Sequence, residues 1–234
     1  MIWTEQDITT ADKVTRLRMI NAITGIKPAN LIGTQSAEGH HNLAVFSSVV
    51  HLGSNPALIG FILRPYGEVP RHTWQNIQST GHYTINHIPA SMTQQAHVTS
   101  AKFPAEVSEF EHCGFTPEMV PGIAAPFVGE SMLKMGLSFV SATEIPLNGT
   151  TLVIGRIIYL SIPDQYIDPA GELDLAQAQS TGISGLNTYY RLEKIGQYPY
   201  ARLSDLNDWH PGNAQDPQHP QRREDPQHPE SPSK

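Results

Sequence analysis

Arg64, Arg71, His72 and Thr73 are the residues whose types and spacing could best do chemistry in this chain. The two arginines bracket a loop that leads into residues 73–79, which read as a helix with Thr73 as its N-cap and Gly81 at its C-terminus. Backbone N–H groups and a hydroxyl at a helix start favour an anion, and guanidinium groups strengthen that preference. Upstream, the segment His41-Asn42-Leu43-Ala44-Val45-Phe46-Ser47-Ser48 carries small polar groups in an otherwise apolar strand. A flat, partly apolar ligand with a phosphate tail suits these two features together. Thr99, Ser100 and Lys102 close a second short helix, where a lysine complements the negative end of the helix dipole. Tyr189, Tyr190 and Arg191 either cover the ligand or pack in the core, and Trp74 is open to both readings. Glu109, Glu111 and Glu130 read as surface carboxylates. Cys113 has no histidine-plus-carboxylate context that would make it a nucleophile, and the doublet His40-His41 has no assigned role.

The elements that must position these residues are mostly strands. Residues 9–23 read as a short helix capped by Thr9 or Thr10, with Val14, Leu17, Ile20 and Ile23 on one face and Gly25 and Pro28 ending it. Residues 28–35 and 41–50 read as an antiparallel hairpin around a turn at 36–39. A turn at 53–56 leads into an apolar strand at 57–63, and 82–87 form another strand behind the predicted helix. Residues 89–100 read as the second helix. Residues 103–135, with Pro104, Pro117, Pro121, Gly122 and Pro126 breaking any period, read as a long irregular excursion of the kind that is often functional. Asn148-Gly149 is the strongest hairpin-turn dipeptide, joining strands at 136–145 and 150–162. A loop at 163–182 precedes residues 185–195. About six main strands, two or three helices and Gly/Pro-rich turns predict a mainly β fold, a small barrel with attached helices.

Composition narrows the function class. The formal net charge of −7 gives no general attraction to nucleic acid or to anionic membrane. No run approaches the roughly 18 apolar residues that a membrane span needs. Charged residues are only 16% of the chain, which suggests a surface partly covered by another subunit. A lone cysteine cannot form an internal disulfide, and Met1–Glu5 lacks the basic and apolar regions of a signal peptide, so a cytoplasmic location is expected. From residue 208 the composition changes. His210, His219 and His228 each precede a proline at nine-residue spacing, with almost nothing apolar to bury beyond Trp209. The expectation is one domain over 1–207 and a disordered Pro/His/Gln-rich tail over 208–234, with no metal site. No G-x-G-x-x-G opens a helix after a strand and no P-loop occurs, so a Rossmann domain is not expected.

The order Asn42-x-Ala44-x-Phe46-Ser47, Arg64-Pro65, Arg71-His72-Thr73-x-x-Asn76-Ile77, Gly81 and Thr84-Ile85-Asn86 resembles the flavin reductase-like family. The resemblance continues through Thr99-Ser100-Ala101-Lys102, Ser108-Glu109-Phe110-Glu111, Ala125-Pro126-Phe127-Val128-x-Glu130-Ser131, Asn148-Gly149-Thr150 and Gly185-Leu186-Asn187-Thr188-Tyr189-Tyr190, and covers residues 10–205. It implies an FMN-binding split β-barrel, a Greek-key-like antiparallel barrel, assembled as a homodimer. It implies that Asn42, Ala44, Phe46, Ser47 and Ser48 run alongside a flavin, that Arg64, Arg71, His72 and Thr73 hold its phosphate, and that Ser100 and Lys102 approach its edge, where Lys102 would favour an anionic reduced flavin. The implied activity is an NAD(P)H-dependent flavin reductase, with NADH or NADPH as hydride donor and a flavin-dependent monooxygenase as a receiver of reduced flavin. No side chain is required as acid or base. An FMN-binding electron-transfer protein that does not use NAD(P)H, or a barrel that binds a ligand without catalysis, are the alternatives.

Overall fold

The computed structural model describes residues 2–65, 67 and 71–203. The chain divides into two units, a body that ends at Leu192 and a second part that begins at Glu193. The described residues of the second part, 193–203, form no strand or α-helix, and the tail expected over 208–234 lies outside the described residues.

Two helices open the chain where one was expected, α1 (Glu5–Thr10) and α2 (Lys13–Ala22). Thr4 caps α1 in a reciprocal arrangement with Asp7, and Asp12 caps α2 by accepting from the N–H groups of Val14 and Thr15. Thr9 and Thr10 are therefore not caps: their hydroxyls donate back to the Glu5 and Gln6 carbonyls inside α1. The face carrying Val14, Leu17, Ile20 and Ile23 is exposed.

The strands follow as β1 (Lys27–Pro28), β2 (Asn30–Gln35), β3 (His41–Phe46), β4 (Val50–Ser54) and β5 (Ala57–Leu63). Helix α3 (His72–Thr80) ends on Gly81, whose φ of 72° places it in the left-handed region. Next come β6 (His82–His87), a 3₁₀ turn running into α4 (Thr93–Val98), and α5 (Glu109–Cys113). The expected irregular excursion thus contains a helix, and also a two-stranded pair, β7 (Pro117–Glu118) with β8 (Phe127–Val128). The long hairpin β9 (Lys134–Ile145) and β10 (Thr150–Ser161) turns at Asn148-Gly149, and β11 (Thr181–Ser184) pairs with β12 (Thr188–Arg191) and with β1.

The main sheet is antiparallel, in the order β3-β2-β6-β9-β10-β5-β4. β3 and β4 stand at its opposite edges, yet only Ser47, Ser48 and Val49 join them. Laid flat, seven strands would separate those edges by roughly 29 Å. The link spans at most about 14 Å when extended. The sheet must therefore curl into a barrel, with an unpaired seam between β3 and β4. The Ser48 hydroxyl, in the link, continues the β4–β5 pairing, donating to the Ile62 carbonyl of β5 at 3.1 Å and accepting from the Ile62 N–H at 3.0 Å.

β2 is buried on both faces, because its successive side chains enter two different cores. Ile32 joins Phe61, Leu63, Tyr83, Ile85, Leu137 and Val153 inside the barrel, and Ile77 of α3 packs with them. Leu31 joins Leu43, Ile88, Phe110, Phe115 and Ile183 on the outer face, beneath α4 and α5. Segment 125–131 is bound to the barrel by buried polar groups: Thr84 donates to the Pro126 carbonyl and Val128 N–H donates to Asn86 Oδ1. A side chain at Gly33 would meet the Pro126 oxygen at 2.2 Å, so this close approach requires glycine there.

His87 ends β6 with Nδ1 at 2.9 Å from the Ser180 hydroxyl, and burial lowers its pKa from 6.5 to about 4. In the unfolded chain the imidazole gains its proton near 6.5, whereas the folded protein gains it only near 4. Stability therefore falls as pH drops through that window, by up to about 3 kcal/mol from this group. Urea unfolding at pH 7 and pH 4.5 is expected to show a smaller acid loss in His87→Gln than in the parent. Equal losses in the two proteins would remove His87 as the cause.

Candidate functional site

The barrel seam, the start of α3 and the segment after α4 surround one cavity of about 470 Å³. Asn42, Ala44, Phe46, Ser47, Ser48, Arg64, Arg71, His72, Thr73, Ser100 and Lys102 all line it. Residues from three separate stretches of sequence, each singled out for its chemistry, therefore meet in one place.

They do not all present side chains. β3 is a sheet edge, and the Leu43 N–H on its outer side donates to Glu109 Oε2 at 2.9 Å. Antiparallel alternation then turns the N–H and C=O of Val45 to the same outer edge, toward the cavity that Val45 lines. The Phe46 ring points into the barrel and meets Phe61 edge-on, with centroids 5.1 Å apart. Ala44 keeps the wall between Asn42 and Phe46 low. Ser48 has its hydroxyl proton committed to the Ile62 carbonyl, and Ser100 donates its own to the His97 carbonyl at 2.7 Å.

Helix α3 starts two positions earlier than the threonine pattern suggests. Arg71 is the N-cap residue, and the first turn has no side-chain cap. Thr73 is buried within that turn, where its Oγ1 accepts from Asn42 Nδ2 at 3.2 Å. Its hydroxyl proton remains to donate into the cavity that it lines. Asn42 Nδ2 also donates to Thr34, which accepts from Asn76 as well, so a buried polar net locks β2, β3 and α3 together. Arg71 is held by one hydrogen bond to the Pro65 carbonyl at 3.1 Å, while its buried Nε has no partner among the described residues. An orphaned guanidinium N–H, an uncapped helix start and a poised hydroxyl form a donor set that fits a phosphate oxygen.

Several residues behave differently from their sequence-based reading. Glu109 is 5% exposed, not a surface carboxylate, and burial raises its pKa. An acid in the first turn of a helix is common for dipole reasons, which hid its burial. Burial, with Glu109 nearby, also raises the Cys113 thiol. Glu130 accepts from the Thr116 N–H. Trp74 stacks edge-on against Phe139. Tyr189 packs on the outer core with its hydroxyl 3.3 Å from His97 Nδ1, and Tyr190 pairs with Ser184. Ile183 and Leu186, from β11 and the turn after it, line the cavity instead of the tyrosines. Lys27 lines it too, and no local pattern around that residue marks it. His40 finds a place in an adjoining cavity of about 290 Å³ that shares Asn42 and His72 with the first.

The model of the flavin reductase like domain family matches residues 26–175. A crystal structure from Shewanella frigidimarina NCIMB 400, assigned to a flavin reductase with a split barrel domain, is 44% identical to this chain. It aligns over 86% of this chain and 100% of that one, with a TM-score of 0.82. Nitrilotriacetate monooxygenase component B from Bacillus cereus has the same fold at 18% identity, over 85% of this chain and 98% of that one, TM-score 0.75. The flavoredoxin of Desulfovibrio vulgaris (Miyazaki F) has it at 20% identity, over 75% and 92%, TM-score 0.66.

The Asn42–Thr73 hydrogen bond links the cavity wall to the helix that closes the barrel. Asn42→Ala or Thr73→Val is expected to lower unfolding stability by about 1–3 kcal/mol, with the double variant losing clearly less than the sum. Strict additivity in urea melts would mean that the pair does not act as a unit.

Proposed function

The chain belongs to the flavin reductase-like family, and from that premise we propose that it is an FMN-binding oxidoreductase, an NAD(P)H-dependent flavin reductase whose seat is the seam cavity. The observation that carries this reading is the convergence of the β3 edge with a basic pocket at the start of α3 whose cations have no ion-pair partner among the described residues. A flat ring edge with carbonyl and N–H groups complements the outward Val45 peptide groups. A phosphate dianion complements Arg71 Nε, the Thr73 hydroxyl and the free N–H groups of the first turn of α3. Arg64, His72 and Lys102 add donors around the same space.

Bound FMN would supply the redox chemistry, with NADH or NADPH as the hydride donor. This chain's residues bind, orient and shield. Phe103, Ile183 and Leu186 provide apolar wall that excludes water, and the Ser47–Val49 link keeps β3 at its working distance from β5. No lining side chain has to move a proton for the transfer itself. Binding and positioning should therefore respond to mutation more than any single chemical step.

Assembly as a homodimer is part of this reading, supported by the exposed apolar face of α2 and by exposed Val140, Ile158 and Leu160 on β9 and β10. The fold shared with a monooxygenase component B supports an oxygenase as a receiver of reduced flavin. A lone, buried cysteine fits a reducing cytoplasm. Among the described residues no helix is long and apolar enough to cross a membrane.

The purified protein is expected to take up FMN and, under anaerobic conditions, to lose the flavin band near roughly 450 nm on adding NADH or NADPH. Bound flavin that stays oxidised with both donors would favour an electron carrier, and failure to bind FMN would remove the flavin reading. Arg64→Ala and Arg71→Ala are each expected to weaken FMN binding roughly tenfold or more. Unchanged affinity in both would displace the phosphate from this corner.

A further inference from the structure

Lys27, Arg64, Arg71 and Lys102 line one cavity, and among the described residues its single acidic lining residue is Glu109. That carboxyl is buried and engaged by the Leu43 N–H. The one ion pair found among the described residues, Lys134 with Glu118, involves no residue of this cavity. A phosphomonoester carries about two negative charges near neutral pH, so it balances only about half of these four cations. Charge is left for a second anion.

Lys27 is the member with no place in the phosphate corner. It lies on β1, and its ammonium donates to the Asn21 carbonyl at 3.0 Å and to the Gly185 carbonyl at 3.1 Å. An ammonium has three N–H donors, so one remains. The two carbonyls tie a normally mobile side chain to the end of α2 and to the β11–β12 turn. Burial first, and the nearby Arg64 guanidinium second, push its pKa below the ordinary lysine value. Lys27, held in place, and the nearby Arg64 repel each other, and an anion between them relieves that repulsion.

Resting on the flavin reading above, we propose that Lys27 forms a second anion subsite that takes the pyrophosphate of a dinucleotide, beside the monophosphate seat at Arg64, Arg71 and the start of α3. The dinucleotide has two sources, FAD bound in place of FMN, or the nicotinamide donor bound against the flavin.

The test uses the full chain, Lys27→Gln and Lys27→Arg. Glutamine keeps a donor for the carbonyls and removes the charge, while arginine restores it. FMN and FAD are titrated by flavin fluorescence, and NAD⁺ and NADP⁺ by calorimetry on the FMN-loaded protein. Lys27→Gln is expected to weaken FAD, or the nicotinamide dinucleotides, roughly tenfold while FMN stays within about twofold, and Lys27→Arg is expected to recover most of the loss. A loss confined to FAD identifies the flavin's own pyrophosphate; a loss confined to NAD⁺ or NADP⁺ identifies the hydride donor. Equal weakening of FMN and dinucleotides, no change with any ligand, or a parent protein that binds FMN but no dinucleotide would each overturn the subsite. A parent protein that binds no flavin at all would instead remove the flavin reading on which it rests.

Discussion

A three-residue link determines how the main sheet closes. Because only Ser47–Val49 join the two edge strands of a seven-stranded sheet, the sheet has to curl until β3 and β4 approach each other. The edges do not pair, so the curl leaves a seam. A buried seam would strand backbone N–H and C=O groups without partners. Here the Leu43 N–H is taken by Glu109, and the peptide groups of Val45 are left facing a cavity. The same constraint that closes the barrel thus creates a strand edge ready for a flat, polar-rimmed ligand.

The second requirement is that the cavity keep its shape. Thr34, Asn42, Thr73 and Asn76 are all buried and hydrogen-bonded to one another across β2, β3 and α3. Thr84 and Asn86 do the same between the barrel and segment 125–131. Buried polar groups of this kind are costly when unpaired and directional when paired. They set the rotation of α3, and with it the direction of the Thr73 hydroxyl and the first-turn N–H groups. Apolar packing of Ile77 alone would hold the helix but would leave its rotation less defined.

Charge supplies the remaining selectivity. Among the described residues, four cations around a cavity with one occupied acid favour ligands carrying more than one negative group. A neutral flavin ring without its phosphate would use the β3 edge but leave the basic corner unbalanced. On the proposed flavin reading, affinity in this site would come from two unlike surfaces joined by one ligand, a hydrogen-bonding strand edge and a basic helix start.

Short-range patterns in the sequence determined a good part of this. The apolar run that forms β5, the strand β6, the Asn148-Gly149 hairpin and the left-handed Gly81 follow from side-chain period and turn chemistry, which act within a few residues. Arg64, Arg71, His72 and Thr73 announced an anion by their types and spacing, and the structure does bring them to one cavity. What only the tertiary structure decided depends on partners far along the chain. Thr73 is a buried acceptor for Asn42, 31 positions away, and not a helix cap. Glu109 leaves the surface because Leu43, 66 positions away, offers an unpaired strand-edge N–H. Lys27 enters the cavity because Gly185, 158 positions away, supplies a carbonyl to hold it. No local period encodes such pairs, because each exists only once the barrel has curled and brought its seam together.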